Sequence, residues 1–158
     1  MKEKILDQNL AQTIEKLKSE GKKIVFSNGV FDILHPGHVQ YLEEAKKFGD
    51  VLILGLNSDN SVRNLKGPQR PINRWEDRAL VLSGLESVDY IVKMEDDTPI
   101  KLIEQIKPDV HIKGGDYKNK TLPEENTVIK NGGKVIIVSF LENFSTTNMI
   151  KKLESKSK

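Results

Sequence analysis

The sequence predicts an α/β fold: a five-stranded parallel sheet with helices on both faces. Two observations predict it. Short β-branched, apolar runs alternate with stretches of helical periodicity along the chain, the pattern of strands joined by right-handed helical crossovers. One run, VLILGL at 51–56, is apolar at every position, as a central strand covered above and below must be.

Taken in order, Leu6, Leu10, Ile14 and Leu17 fall on one helical face, and Gly21 closes that helix. KIVFS (23–27) is the first strand. Helical periodicity resumes near Gly37, with Val39, Leu42, Ala45 and Phe48 on one side and Gly49 at the end. The second strand, 51–56, is followed by a polar, basic loop over 57–72. Asn73 and Glu76 have capping-box spacing and predict a helix carrying Trp75, Leu82 and Leu85. YIVKM (90–94) is the third strand. Thr98 then reads as an N-cap, with Pro99 at the first position of a helix through IKLIEQI. DVHIKG (109–114) is the fourth strand, and Thr121 to Glu124 cap a helix ending near Asn131. KVIIVSF (134–140) is the fifth, and Ser145 starts a last helix. These elements make one domain over 1–153, with 154–158 expected as a disordered tail.

Composition narrows the function. Lysine and arginine number 25 against 23 aspartates and glutamates, a net charge of +2 from interspersed charges, which predicts neither a nucleic-acid nor a membrane partner. There is no cysteine, so disulfides, thiolate metal sites and cysteine nucleophiles are excluded. No apolar run approaches the roughly 20 residues that span a bilayer. The charged N-terminus does not read as a signal peptide. A cytoplasmic protein is the expectation.

In a doubly wound sheet ligands bind beyond the carboxyl ends of the strands, where strand order reverses. The loops there hold the unusual residues. SNGVFDILHPGH (27–38) runs from a strand through a small-residue turn into a helix, whose N-terminal amides form an anion site. His35 and His38 flank Pro36 and Gly37 and are candidate donors to phosphate oxygens. A zinc site is disfavoured: the third histidine, His111, lies mid-strand and reads as a packed core residue. Lys66, in the basic loop, reads either as solvated charge or as a phosphate ligand, and Arg78 either as a surface ion-pair residue or as a site residue. Gly114, at the end of the fourth strand, permits close backbone approach, and Asp116 is placed to accept from a sugar hydroxyl. In FSTTN (144–148) one hydroxyl suffices for an N-cap, so Thr146 and Thr147 beyond Ser145 suggest a polyphosphate cradle.

GVFDILHPGH resembles the HxGH signature of the nucleotidylyltransferase superfamily, which implies its Rossmann-like fold. Together with NSDNSVRNLKGPQRPIN, EDR, KGGDY and STTNMIKKL, it resembles more closely the adenylyltransferase domain of the bifunctional heptose enzymes, over about residues 8–153. That resemblance implies transfer of AMP from ATP to D-glycero-β-D-manno-heptose 1-phosphate, by direct in-line attack and with release of pyrophosphate. It implies His38, His35 and Lys66 as catalytic residues. Asn28, Gly29, Val30, Phe31, Gly37, Arg78, Ser145, Thr146 and Thr147 would hold nucleotide phosphates. Asp32, Asn57, Asp59, Gly114 and Asp116 would serve the sugar phosphate or ribose. Mg²⁺ would arrive mainly on the nucleotide phosphates, with no protein side chain assigned to it. A separate heptose kinase would supply the substrate, the product would feed lipopolysaccharide or a related glycan, and a homodimer is common among relatives. Glycerol 3-phosphate cytidylyltransferases share the first motif but carry HWGH and an Arg-Thr lead into their S-T-T, where this chain has HPGH and LENFSTT. Cytidylyl transfer to a small phosphate or phosphonate, FMN adenylylation and a catalytically idle nucleotide-binding module are the alternatives.

Overall fold

The computed structural model describes residues 2–6, 8–139 and 145–156. All pairings in its sheet are parallel, in the order β1-β4-β3-β2-β5-β6. The strands are β1 (Ile5–Leu6), β2 (Ile24–Gly29), β3 (Val51–Asn57), β4 (Tyr90–Met94), β5 (Val110–Gly114) and β6 (Lys134–Val138). Seven helices accompany them: α1 (Leu10–Ser19), α2 (Pro36–Lys46), α3 (Asp59–Lys66), α4 (Trp75–Ser83), α5 (Ile100–Ile106), α6 (Glu125–Lys130) and α7 (Thr146–Lys156).

The five predicted strands are present, and β1 makes a sixth. Leu6 pairs with Val92 at the sheet edge and is buried there, instead of opening α1 as its helical spacing suggested. Lys4 pins that edge, its Nζ donating to Leu85 O at 3.0 Å and Val88 O at 2.7 Å. The stretch read as a loop over 57–72 contains α3, capped by Ser58 Oγ, which accepts from Ser61 N at 3.2 Å. Two predicted caps move. Arg74, not Asn73, is the N-cap of α4, and Pro99 occupies that position in α5; neither makes a side-chain cap bond. Helix α7 continues through Lys156, past the expected boundary at 153, while residues 140 and 157–158 lie outside the described residues.

Burial follows from the sheet's position between helices. All seven residues of β3 are buried and divide by alternation: Leu52, Leu54 and Leu56 pack with Leu42 and Leu82, while Val51 and Ile53 pack with Phe26, Ile103 and Val128. Each such aliphatic side chain removed from water contributes roughly 1.5–3 kcal/mol, which is what holds the strands in register.

That register prepares a cleft. β2 pairs with β3 along its whole length, from Ile24↔Val51 to Gly29↔Leu56. Its register with β5 ends at Ser27↔Ile112, so Asn28 and Gly29 diverge from Lys113 and Gly114. The chain winds outward from β2 through β3 to β4, then crosses back to β5, and the split lies where strand order reverses.

Gly49, between α2 and β3, has no space for a side chain: a Cβ there would lie 2.7 Å from both Lys23 O and Val25 Cγ2. Gly49→Ala should therefore lose about 1–3 kcal/mol, seen as a lower urea midpoint at unchanged slope.

Candidate active site

A cleft of about 610 Å³ opens over the split between β2 and β5. Asn28, Gly29, Val30 and Phe31 line one side, and Gly114 and Asp116 line the other; His35, His38, Lys66, Asn57, Ser145, Thr146 and Thr147 also face it.

The histidine pair is built by the turn after β2. Phe31 takes a positive φ of 45°, and its buried ring lies 5.0 Å from that of His38. His35 is extended and is itself the N-cap of α2, its Nδ1 accepting from His38 N at 3.3 Å, with Pro36 at the first helical position. An accepting Nδ1 places the proton of a neutral His35 on Nε2. The two rings stack at 3.7 Å and 20°. Burial lowers the pKa of both; for His38 burial, with the neighbouring His35 adding to it, brings the value to about 4. Both imidazoles are thus neutral at pH 7, donors rather than cations. His38 Nδ1 is buried without a hydrogen-bond partner, which leaves Nε2 as the nitrogen to offer a ligand.

Several residues expected as ligand contacts also make scaffold contacts. Asp32, expected to bind sugar phosphate or ribose, lines the cleft, and its carboxylate is buried. It accepts from Arg70 Nε at 2.7 Å, from Ile72 N at 2.8 Å and from Asn73 N at 2.9 Å. Asn73 Nδ2 returns to Asp32 O at 2.9 Å, which removes it from its predicted capping role. The basic loop is therefore clamped to the turn after β2, with Lys66 exposed at the end of α3 and facing the cleft. Arg78 does not line the cleft and is not a surface residue: fully buried, it donates to Val30 O (2.7 Å), Asn73 O (2.9 Å) and Asp59 Oδ1 (2.7 Å). Asp59 is engaged by that contact and also stands off the cleft, as does Gly37, buried in the first turn of α2. Asn57 reaches the cleft while its Nδ2 donates to Ser61 Oγ at 2.8 Å. In the S-T-T cluster Ser145 Oγ accepts from Asn148 N at 3.0 Å, Thr146 Oγ1 donates to Ile33 O at 3.1 Å, and Thr147 is exposed.

A buried polar group in the cleft wall was missed. Lys113 Nζ donates to Asn28 Oδ1 at 2.8 Å and lies 3.2 Å from Glu124 Oε1; His111 Nε2 lies 3.1 Å from the same oxygen. Burial would raise Glu124, but the His111 hydrogen bond and the Lys113 charge overcome it and hold the carboxyl at about 2. Burial lowers Lys113, with Glu124 opposing, and also lowers His111. The one sequence signal was a lysine ahead of two glycines at a strand end; Glu124 read as a helix cap, and it caps nothing with its side chain.

Among the described residues no cluster of three or more histidine, cysteine, aspartate or glutamate side chains could hold a metal. With Asp32 and Glu124 both engaged, the donor set suits an ion that keeps phosphate and water ligands, as magnesium does. No described helix is long and apolar enough to cross a membrane.

A cytidylyltransferase-like family model matches residues 26–155. Proteins named bifunctional protein HldE are 55% identical over 153 residues in Wolinella succinogenes and 51% identical over 151 residues in Aliarcobacter butzleri. Each match covers 96% of this chain but 31% of the relative, so the chain spans about a third of their length. The lipopolysaccharide core biosynthesis protein from Thermoplasma volcanium superposes with a TM-score of 0.64 at 33% identity, covering 78% of this chain and 100% of that one. Pantoate-beta-alanine ligase from Francisella tularensis superposes at 0.58 and 19% identity, over 95% of this chain and 76% of that one, and shows the fold alone.

The lowered histidine values have a signed consequence. Between 6.5, the ordinary value, and about 4, the unfolded chain binds the proton that folded His38 refuses. Stability should be complete above pH 6.5 and fall as pH drops toward 4, followed by urea midpoints. The NMR titration of the His38 ring should have its midpoint near 4 without ligand; a midpoint at 6.5 or above would refute the neutral pair.

Proposed function

Because the chain belongs to the cytidylyltransferase-like family, we propose that it transfers AMP from ATP to D-glycero-β-D-manno-heptose 1-phosphate, giving ADP-heptose and pyrophosphate. The observation that carries this reading is the stacked pair of neutral imidazoles at the N-terminus of α2, over the switch point. Such a pair suits phosphate chemistry: donors fixed by packing, aimed where negative charge develops. The HldE relatives support the heptose branch of the family, and the Thermoplasma volcanium protein supports a role of the product in lipopolysaccharide or a related glycan.

In this reading a phosphate oxygen of the acceptor attacks the α-phosphorus in line, and the bond to the β-phosphate oxygen breaks. A phosphate monoester, with its second pKa near about 6, is mostly dianionic at neutral pH and needs no general base. His38 and His35 donate to the α-phosphate as charge builds on it, and Lys66 adds positive charge from the clamped loop. The backbone of Gly29 to Phe31 forms the anion pocket. Ser145, Thr146 and Thr147 hold the departing pyrophosphate at the start of α7. Magnesium, when bound, offsets phosphate charge and is held mainly by phosphate oxygens and water. Asn57, Gly114 and Asp116 remain for ribose or sugar hydroxyls. The relatives are bifunctional by name and much longer than this chain; in this reading a kinase reaction supplies heptose 1-phosphate.

Pyrophosphate release with magnesium, crossing ATP and CTP against the β-heptose 1-phosphate and glycerol 3-phosphate, tests the reading. Release is expected with ATP and the heptose alone. Release with CTP and glycerol phosphate instead would reassign the substrates and keep the chemistry. His38→Ala should lower kcat by roughly 100- to 1,000-fold and leave the thermal melt little changed; activity within a few-fold of wild type would remove His38 from the reaction.

A further inference from the structure

The ladder between β2 and β5 ends at Ser27↔Ile112, and one residue further a side chain takes its place. Lys113 Nζ donates to Asn28 Oδ1 at 2.8 Å, a rung across the open switch point, between two residues that both line the cleft. The ammonium is buried, its side chain 8% exposed, and its countercharge Glu124 is 2% exposed. Glu124 Oε1 is held in turn by His111 Nε2, and His111 Nδ1 lies 3.2 Å from Phe26 O, back on β2. Tyr117, another cleft residue, places its ring centroid 5.0 Å from Nζ.

We propose that Lys113 and Glu124 are positioning residues that act through Asn28, turning its carboxamide so that the amino group faces substrate phosphate. An ammonium only donates, so Asn28 must present Oδ1 to it. What remains for the cleft is Nδ2, with donors alone. A carboxamide without that partner is free to turn its oxygen to the cleft, where it would repel a phosphate oxygen. Asn28 immediately precedes the Gly29 to Phe31 turn, so its amino group joins the donor row that leads to His35 and His38. Stability does not explain the arrangement, because a buried ion pair is commonly matched or bettered by apolar residues of similar size. Its place does: β5, the start of α6 and β2 meet here, and the rung sits where β2 and β5 part, at the cleft.

The inference rests on the site being one of phosphate chemistry, and its test separates the two. Lys113→Met alone leaves the Glu124 charge buried and unpaired, so the informative variant is Lys113→Met/Glu124→Gln, made with and without Asn28→Ala in the full chain. Asn28→Ala should lower kcat/KM about 100-fold, and the charge-pair variant roughly 10- to 100-fold. In the Asn28→Ala background, removing the pair should cost less than about 3-fold more, the non-additivity of residues acting as one unit. Losses that multiply would overturn the proposal, since a structural or direct role of the pair does not depend on Asn28. A second readout needs no turnover: the ¹⁵N side-chain amide signal of Asn28 should shift when inorganic pyrophosphate is added to wild type, and not in the charge-pair variant. An amide signal that responds equally in both would overturn the proposal. Should wild type turn over none of the four substrate pairs while this difference is seen, the substrate reading fails and the positioning network stands.

Discussion

The site depends on β2 lying between a strand that follows it immediately and one that the chain reaches only after crossing the sheet. β3 stays paired with β2 to its last residue, whereas β5 releases it two residues earlier. Backbone groups released in this way cannot stay buried without partners. They are left at the mouth of a cleft, and the side chains around them are polar for that reason. The same divergence gives the turn after β2 the freedom to bring Phe31, His35 and His38 over the strand ends. A fold in which β2 and β5 were paired to their ends would have no room for a ligand.

Charged residues around the cleft hold its loops as well as facing it. Asp32 takes three donors from the basic loop, and Arg78 gives its guanidinium to Val30 O, Asn73 O and Asp59. Removing one partner from such a buried group leaves a full desolvation penalty, about 1–3 kcal/mol and more for a charge. The two contacts therefore fix the turn after β2 and the basic loop relative to each other. Thr146, bonded to Ile33 O, ties the S-T-T cluster to the same turn.

The strands were legible because buried parallel strands are continuous apolar runs, and β3 is the clearest of them. The histidines and the S-T-T cluster were legible because each sits at a strand-to-helix boundary that sequence marks with proline or hydroxyl residues. What failed to show has physical causes. β1 is two residues long, too short for any period. α3, DNSVRNLK, buries only Ser61 and Val62 and so lacks an apolar stripe. The capping box at Asn73 is a local preference overridden by a tertiary contact to Asp32. Arg78 and Asp32 have the residue types of ligands, and only the packed loops show their polar atoms to be engaged. Lys113 and Asn28 are 85 positions apart, and nothing in a local pattern joins them.

The neutrality of the imidazoles completes the electrostatic logic of the proposed reaction. Two like charges at about 4 Å repel by about 4 kcal/mol at an effective dielectric of 20, so rings stacked at 3.7 Å cannot both be imidazolium. Burial beneath Phe31 and the turn pushes in the same direction. A cation in that position would bind the resting nucleotide and the transition state almost equally, which lowers KM without raising kcat. A neutral N–H held rigidly gains most when the oxygen it faces gains charge. In the proposed reaction permanent charge comes instead from exposed Lys66 at the rim and from the buried Lys113 ammonium beside Asn28. The proposed roles divide accordingly: the cations attract and hold phosphate, and the two uncharged imidazoles donate where charge develops.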